Sequence, residues 1–269
     1  MNKTAEILAA EKAFSRVCSA GAAASADFCM LQAGDRVLAA LSGGMDSMVM
    51  LETLLCLQKK APFEFEIAAV TFDPLFPGFN SRAIADYCST RNVEHHIVKA
   101  DIPQALSGKC ANERTRRPCV RCSRLRRGML CSLARELGCS KLALGHHADD
   151  LMESFFISLV RGQGLTTMAP NVLADKSRQG DKELRIIRPL AMVRESVVKC
   201  AAGCFEFPAA GECMYKTELD ASGDRAWAKA QIKVWQERIP DLGTLMLKSM
   251  GRIEAEWLLD KRYLDFLEN

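Results

Sequence analysis

The sequence predicts an α/β fold: a doubly wound, mainly parallel five-stranded sheet with helical extensions at both ends. Short apolar runs alternate with helical patterns between residues 36 and 188. Each βαβ step is short enough to join parallel neighbours by a right-handed crossover. The chain has 269 residues, 49% hydrophobic and 26% charged, ample for a full core. Three parts are expected: an N-terminal helical segment at 1–31, the sheet domain at 32–192, and a helical extension at 193–269.

The first segment, Thr4 to Leu31, reads as helical. Its start, Met1-Asn2-Lys3-Thr4-Ala5-Glu6, carries charge early and lacks the apolar core of a signal peptide. The small-residue-rich stretch Ala20 to Ala26 resembles a cleavage site, but no apolar region precedes it. The run Val37-Leu38-Ala39-Ala40-Leu41 marks a buried strand over Arg36 to Leu41. Met48, Leu51, Leu54 and Leu55 then recur at helical spacing, giving a helix over Ser47 to Gln58. Strands over Glu66 to Phe72 and Glu94 to Val98 flank a helix over Ser81 to Thr90. His95 and His96 lie near a strand edge and read as structural. A helix over Ser123 to Leu137, a strand over Lys141 to Gly145, a helix over Asp149 to Val160 and a strand over Leu184 to Arg188 complete the alternation. The polar stretch Asp175 to Glu183 is a surface loop. After Pro189 the pattern stays helical. Trp227, Trp235 and Trp257 fall in amphipathic stretches there and are expected to pack rather than to stack on bases. Internal repeats and low-complexity tracts are absent from the sequence.

No run approaches the ~18 apolar residues of a membrane span, so a cytoplasmic protein without a membrane partner is expected. Twelve cysteines in such a chain argue for thiols and metal ligands over a disulfide framework. Cys18, Cys29, Cys56, Cys88 and Cys139 read as small core fillers, and Cys131 as buried.

Three segments carry chemistry. The loop Ser42-Gly43-Gly44-Met45-Asp46-Ser47 sits between the first strand and a helix N-terminus. That place offers backbone N–H groups and a positive dipole end to an anion. Two glycines let the backbone approach a phosphate, Ser42 and Ser47 add hydroxyls, and Asp46 adds a carboxylate for Mg²⁺ or substrate. The loop has the form of the PP-loop of enzymes that split ATP into AMP and pyrophosphate.

The second segment is Pro118-Cys119-Val120-Arg121-Cys122. Alone it fits half a zinc site, a redox pair or part of an iron–sulfur site. Between Lys109 and Arg127 stand eight basic residues, Lys109, Arg114, Arg116, Arg117, Arg121, Arg124, Arg126 and Arg127, against the single acid Glu113. This stretch therefore carries +7 in a chain whose total is +3, and the remainder is net negative. Positive charge so concentrated suits a phosphate backbone. The third segment, Gly145-His146-His147-Ala148-Asp149-Asp150-Leu151-Met152-Glu153, follows the strand Leu142-Ala143-Leu144. Its acids suit a helix's first turn. They also line the carboxyl end of a strand, where Asp150 could bind Mg²⁺ and a histidine could act as acid or base.

Together these segments resemble the PP-loop tRNA thiolation enzymes of the tRNA 2-thiocytidine synthetase family. Further similar stretches are Gly34-Asp35-Arg36, Pro77-Gly78-Phe79, Cys122-Ser123-Arg124-Leu125-Arg126-Arg127-Gly128, Arg188-Pro189-Leu190-Ala191, Glu206-Phe207-Pro208 and the tail from Trp235 to Pro240. The resemblance spans nearly the whole chain and implies a cytoplasmic sulfurtransferase. It implies that ATP adenylates O2 of a cytidine in the tRNA anticodon loop and that sulfur then replaces that oxygen at C2. It places ATP on Ala40, Ser42, Gly43, Gly44, Asp46, Ser47, Asp73 and Gly145, with Mg²⁺. Asp46, Asp150, Cys119 and Cys122 are then catalytic. A [4Fe–4S] cluster is implied on Cys119, Cys122 and Cys213, with Cys204, Cys200 and Cys110 as lesser candidates for the third ligand. tRNA would meet Arg114, Arg116, Arg117, Arg121, Arg124, Arg126 and Arg127. A sulfur donor such as a cysteine desulfurase, and a homodimer, are the implied partners. The chain departs from the family in two places: Met45 stands where lysine is usual, and Gly211-Glu212-Cys213 lacks a second cysteine three residues on. Alternatives are a lysidine-synthetase-like ligase, a thiolase for another base or small molecule, and a non-catalytic iron–sulfur or nucleic-acid-binding protein.

Overall fold

The structure is a computed structural model that describes residues 3–102, 118–175, 183–211 and 223–263. Its sheet has six strands, one more than the sequence predicts: β1 (Arg36–Leu41), β2 (Glu66–Asp73), β3 (Glu94–Lys99), β4 (Lys141–Ala143), β5 (Asn171–Leu173) and β6 (Arg185–Ile187). Their order is β3-β2-β1-β4-β6-β5. All neighbours are parallel except β5 and β6, which pair Val172 with Ile186 antiparallel. The added strand is three half-buried residues, too short to display a period in sequence. β4 and β6 pair over three residues where the sequence predicts five. The chain leaves the ladder early at Leu144, whose N–H still donates to Ile187 O at 2.9 Å.

Among the described residues the α-helices are α1 (Lys3–Asp27), α2 (Met45–Lys60), α3 (Ser81–Thr90), α4 (Pro118–Glu136), α5 (Ala148–Val160), α6 (Glu195–Ala202), α7 (Asp224–Arg238) and α8 (Leu242–Met250). Alternation along the strands divides the core. Val37, Ala39, Leu41 and Ile187 join one cluster with α1, α2, α3 and α6. Leu38, Val70, Leu142 and Ile186 join a second with Cys122, Leu130, Cys131 and Ala134 of α4. A third, smaller cluster packs Met152 and Phe156 of α5 against Ala228, Ile232 and Leu242.

Small residues in α1 have a packing reason. A Cβ on Gly21 would stand 3.0 Å from Thr53 Cγ2 and 3.4 Å from Pro189 O, so α1 lies close on α2. α1 stops at Asp27 and not at Leu31, because Cys29 takes a left-handed φ of 50°. α4 begins at Pro118, more than a turn before the predicted Ser123, which puts Cys119 and Cys122 on the helix itself. Among the described residues no helix is long and apolar enough to cross a membrane. The loop expected at 175–183 lies mostly outside the described residues.

Cys18, Cys88, Cys131 and Cys139 are buried as expected, whereas Cys56 is half-buried and Cys29 is exposed past the end of α1. Trp227 and Trp235 pack on Phe156, with ring centroids 5.3 and 5.0 Å away. Trp257 does not pack: it is 79% exposed, in a short turn beyond α8. His95 is structural, its Nε2 2.8 Å from Thr71 Oγ1, and His96 pairs with Glu94 at 2.9 Å.

Candidate active site

Strand order reverses between β1 and β4, both followed by a turn into a helix. A crevice opens at such a point, outside the carboxyl ends of the strands. The Ser42–Ser47 loop lies there. Ser47 Oγ accepts from Ser42 N–H at 3.1 Å and donates to Gly44 O at 2.8 Å, and Gly44 N–H reaches Ser42 Oγ at 3.3 Å. These bonds draw the loop into a tight ring. No side chain caps α2, so its first N–H groups open on the crevice beside the first-turn acid Asp46.

Two other segments close on this ring. Gly43 has φ +78°, and a Cβ there would fall 2.3 Å from Ala210 Cβ. Gly211 has φ +84°, and a Cβ there would fall 2.4 Å from Gly78 O. Asn80 N–H donates to Ala210 O at 2.8 Å. The structure thereby brings together the loop, Pro77-Gly78-Phe79 and Ala210-Gly211 just past Glu206-Phe207-Pro208, which are far apart in sequence. Gly145 seats the end of β4 against Ser47. Ala40 is half-buried on β1. Asp73 is occupied already: its carboxylate accepts from Leu75 N–H at 2.9 Å and Ser81 Oγ at 2.7 Å, which shapes the β2–α3 turn.

The Gly145–Glu153 segment has divided roles. His147 is the N-cap of α5: its Nδ1 accepts from Asp150 N–H at 3.3 Å, while Asp150 Oδ2 accepts from His147 N–H at 3.0 Å. Accepting at Nδ1 puts the proton of neutral His147 on Nε2. Asp150 also meets Arg225 Nη1 at 3.2 Å. Asp149 turns away and binds Arg194 and the Glu195 N–H, tying α5 to α6. Burial pushes the Asp46 carboxyl above the usual range; His147 opposes this, while Asp150 and Glu195 add to it.

His146 Nδ1 accepts from Arg188 Nε at 3.3 Å. Arginine only donates, so the proton of His146 is on Nε2. Burial, reinforced by the Arg188 cation, lowers this imidazole to about 4. His146 is therefore a neutral imidazole with an N–H to donate. Arg188 is itself buried, which lowers it to about 10. Glu153 is raised to about 7 by burial and then by Asp150. Burial pushes Glu195 up, but Lys199 and Lys229, each at 2.7 Å, win and hold it near 2. Sequence reasoning missed Arg188, Arg225 and Glu195 as neighbours of this site. Only the approach of α6 and α7 reveals the last two.

Cys119 and Cys122 lie one turn apart on α4, so they share a helix face. Cys122 is buried in the α4 side of the core with Phe72 and Phe76. The side chains of Cys119 and Arg121 are not described. Cys213, Cys110, Arg114, Arg116 and Arg117 lie outside the described residues. Arg124 and Arg127 are exposed, but Arg126 turns inward, with Nη2 3.9 Å from Cys122 Sγ. Cys200 faces α1, its Sγ 3.7 Å from Ala9 O, and Cys204 sits beside it near Glu11. Both are on the sheet face opposite Cys122. Among the described residues no three metal-ligating side chains converge.

Comparison with known proteins places this geometry in context. Residues 19–203 match the family described as the PP-loop domain. The chain is 38% identical over 247 residues to a tRNA-cytidine(32) 2-sulfurtransferase of Marinobacter nauticus, covering 91% of this chain and 78% of that protein. It is 36% identical to the tRNA-cytidine(32) 2-sulfurtransferase of Stutzerimonas stutzeri, covering 89% and 84%. Among solved structures it shares its fold with the U34-tRNA thiolase NcsA from Methanococcus maripaludis with its [4Fe-4S] cluster. The TM-score there is 0.65 at 21% identity, over 90% of this chain and 79% of that one.

Proposed function

The chain belongs to the PP-loop domain family and, within it, to the tRNA-cytidine 2-sulfurtransferases, and from that premise we propose that it is an ATP-dependent tRNA thiolase acting on a cytidine of the anticodon loop. O2 of the cytidine bonds the α-phosphorus of ATP, the bond to the β-phosphate oxygen breaks, and pyrophosphate leaves. A sulfur nucleophile then bonds C2, the C2–O2 bond breaks, and AMP leaves. Adenylation turns a poor leaving oxygen into a phosphate ester.

The observation that carries this reading is the convergence of the Ser42–Ser47 ring, Gly145 and the 206–211 strap on one crevice. The N–H groups opening α2 take the departing pyrophosphate. Asp46 and Asp150 are close enough to influence one another and are the carboxylates for Mg²⁺. His146 offers Nε2–H to an oxygen that gains charge. Residues 32–192 carry the ATP chemistry, and the extension at 193–269 supplies the strap.

The donor set fits an iron–sulfur cluster. Two cysteines share a helix face, and the buried Nε–H of Arg126 has no acceptor in the protein. Gly211, two residues before Cys213, packs on Gly78 and Phe79; Phe79 borders the side-chain clusters on both sheet faces and so reaches the one that holds Cys122, whereas Cys200 and Cys204 stay against α1. This supports Cys213 as the third ligand over Cys200 and Cys204. When bound on three thiolates, the cluster supplies an open iron at which sulfide is held. A cysteine desulfurase as sulfur source, a homodimer and a cytoplasmic location belong to the same proposal. Nucleoside mass spectrometry of tRNA from a deletion strain tests it. Loss of 2-thiocytidine is expected; an unchanged profile overturns the reading.

A further inference from the structure

Arg126 stands within the basic stretch that reads as a tRNA contact, yet its surroundings differ from those of Arg124 and Arg127. It lies one turn after Cys122 on α4, and long helical side chains lean toward the N-terminus. Its Nη2 comes to 3.9 Å from Cys122 Sγ. Its Cζ lies 5.4 Å from the centroid of the Phe72 ring, which fixes the guanidinium. Its Nε is fully buried and has no hydrogen-bond acceptor. No carboxylate among the described residues forms an ion pair with it. A half-buried cation with one donor on a cysteine sulfur and a buried Nε–H unsatisfied has no anionic partner among the described residues.

We infer that Arg126 is a positioning residue for the sulfur centre: its guanidinium, locked over Phe72, donates to the Cys122 sulfur and supplies the positive charge that balances an anionic iron–sulfur group. The inference rests on the thiolase reading. A hydrogen bond to a ligating sulfur and a neighbouring cation both favour the reduced cluster, because they offset its added negative charge. Arg126 thereby raises the reduction potential and does not serve as a phosphate contact.

The test uses the anaerobically purified holoprotein as wild type, Arg126→Leu, Arg126→Gln and Arg124→Gln. Each is titrated potentiometrically with electron paramagnetic resonance as readout, and its tRNA affinity is measured separately. At the wild-type midpoint, Arg126→Leu is expected to lower the ratio of reduced to oxidised cluster at least about threefold. Its tRNA dissociation constant should stay within about twofold of wild type, while Arg124→Gln weakens tRNA binding and leaves the midpoint alone. Where Arg126→Leu does not retain a cluster, Arg126→Gln, which keeps an N–H without the charge, decides by the same titration. An unchanged midpoint in the cluster-bearing variant, with weakened tRNA binding, overturns the inference and makes Arg126 a tRNA contact. A wild-type protein that holds no iron overturns the thiolase reading itself.

Discussion

Gly145 and Ser47 touch so closely that a side chain at 145 has no place. A Cβ on Gly145 would lie 2.9 Å from both Cα and N of Ser47 and 3.0 Å from the Asp46 carbonyl carbon. All three obstacles are backbone, and they form the first turn of α2. The end of β4 and the Ser42–Ser47 loop therefore move as one unit.

From this contact, Gly145→Ala should fold with a loss of about 1–3 kcal/mol of stability, as in other overpacked positions. Pyrophosphate formation should fall at least about tenfold, because the displaced turn is the one that meets ATP. Gly128 provides the contrast. It is helical, with nothing within 4 Å of a built Cβ. Gly128→Ala should gain about 0.5–1 kcal/mol and leave turnover intact. Urea melts and a pyrophosphate assay on both variants check this. Equal loss of activity in the two would sink the argument.

Asp46 and Asp149 are both first-turn acids, but their surroundings separate them. Asp149 is held by Arg194 at 2.9 Å and by the Glu195 N–H at 2.7 Å, so it joins α5 to α6. Asp149→Asn should cost about 1–3 kcal/mol of stability. Asp46 has no comparable cation, and burial already disfavours its charge. Asp46→Asn should be at least as stable as wild type, yet lose about a hundredfold or more in adenylation. Thermal melts beside a single-turnover adenylation assay separate the two effects.

Glu153 gives a pH-dependent prediction. Its folded-state carboxyl is raised to about 7 by burial and by Asp150. An acid raised on folding binds its proton more tightly in the native state. That contribution is complete at low pH and is lost as pH rises through about 7. Glu153→Gln should therefore stabilise the protein at pH 8, by about 1–3 kcal/mol, and change little at pH 5. His146, lowered to about 4, acts in the other direction: its contribution is lost as pH falls below the ordinary histidine range. Chemical denaturation at the two pH values reads the Glu153 effect directly. A variant destabilised at pH 8 would contradict it.

The sheet was legible wherever apolar runs were long enough to show a period. Arg36–Leu41 and Ser81–Thr90 have the expected bounds. β5 was not legible, since three half-buried residues in an antiparallel edge carry no pattern. The Ser42–Ser47 loop could be read because glycine and serine spacing is local. The division among the acids could not: Asp149 and Asp150 are adjacent in sequence, and only the packing of α6 beside one and α7 beside the other separates them. The same holds for Arg126. Its charge is visible in the sequence, but its inward turn depends on where Phe72 lies.

The cysteines offer the sharpest division by position. Cys122 lies on the α4 face of the sheet, while Cys200 and Cys204 lie on the α1 face. A six-stranded sheet stands between them, and an iron–sulfur cluster cannot bridge it, since iron–thiolate bonds reach only a few ångströms. Cys131, lower on α4, is buried and its thiol is pushed up, which disfavours the thiolate a metal requires. Cys119→Ser, Cys122→Ser and Cys213→Ser should each lose most bound iron and acid-labile sulfide after anaerobic purification, with tRNA binding retained. Cys200→Ala, Cys204→Ala and Cys131→Ala should keep both at wild-type levels. Cys213→Ser holding full iron while Cys204→Ala loses it would move the third ligand across the sheet and contradict the geometry.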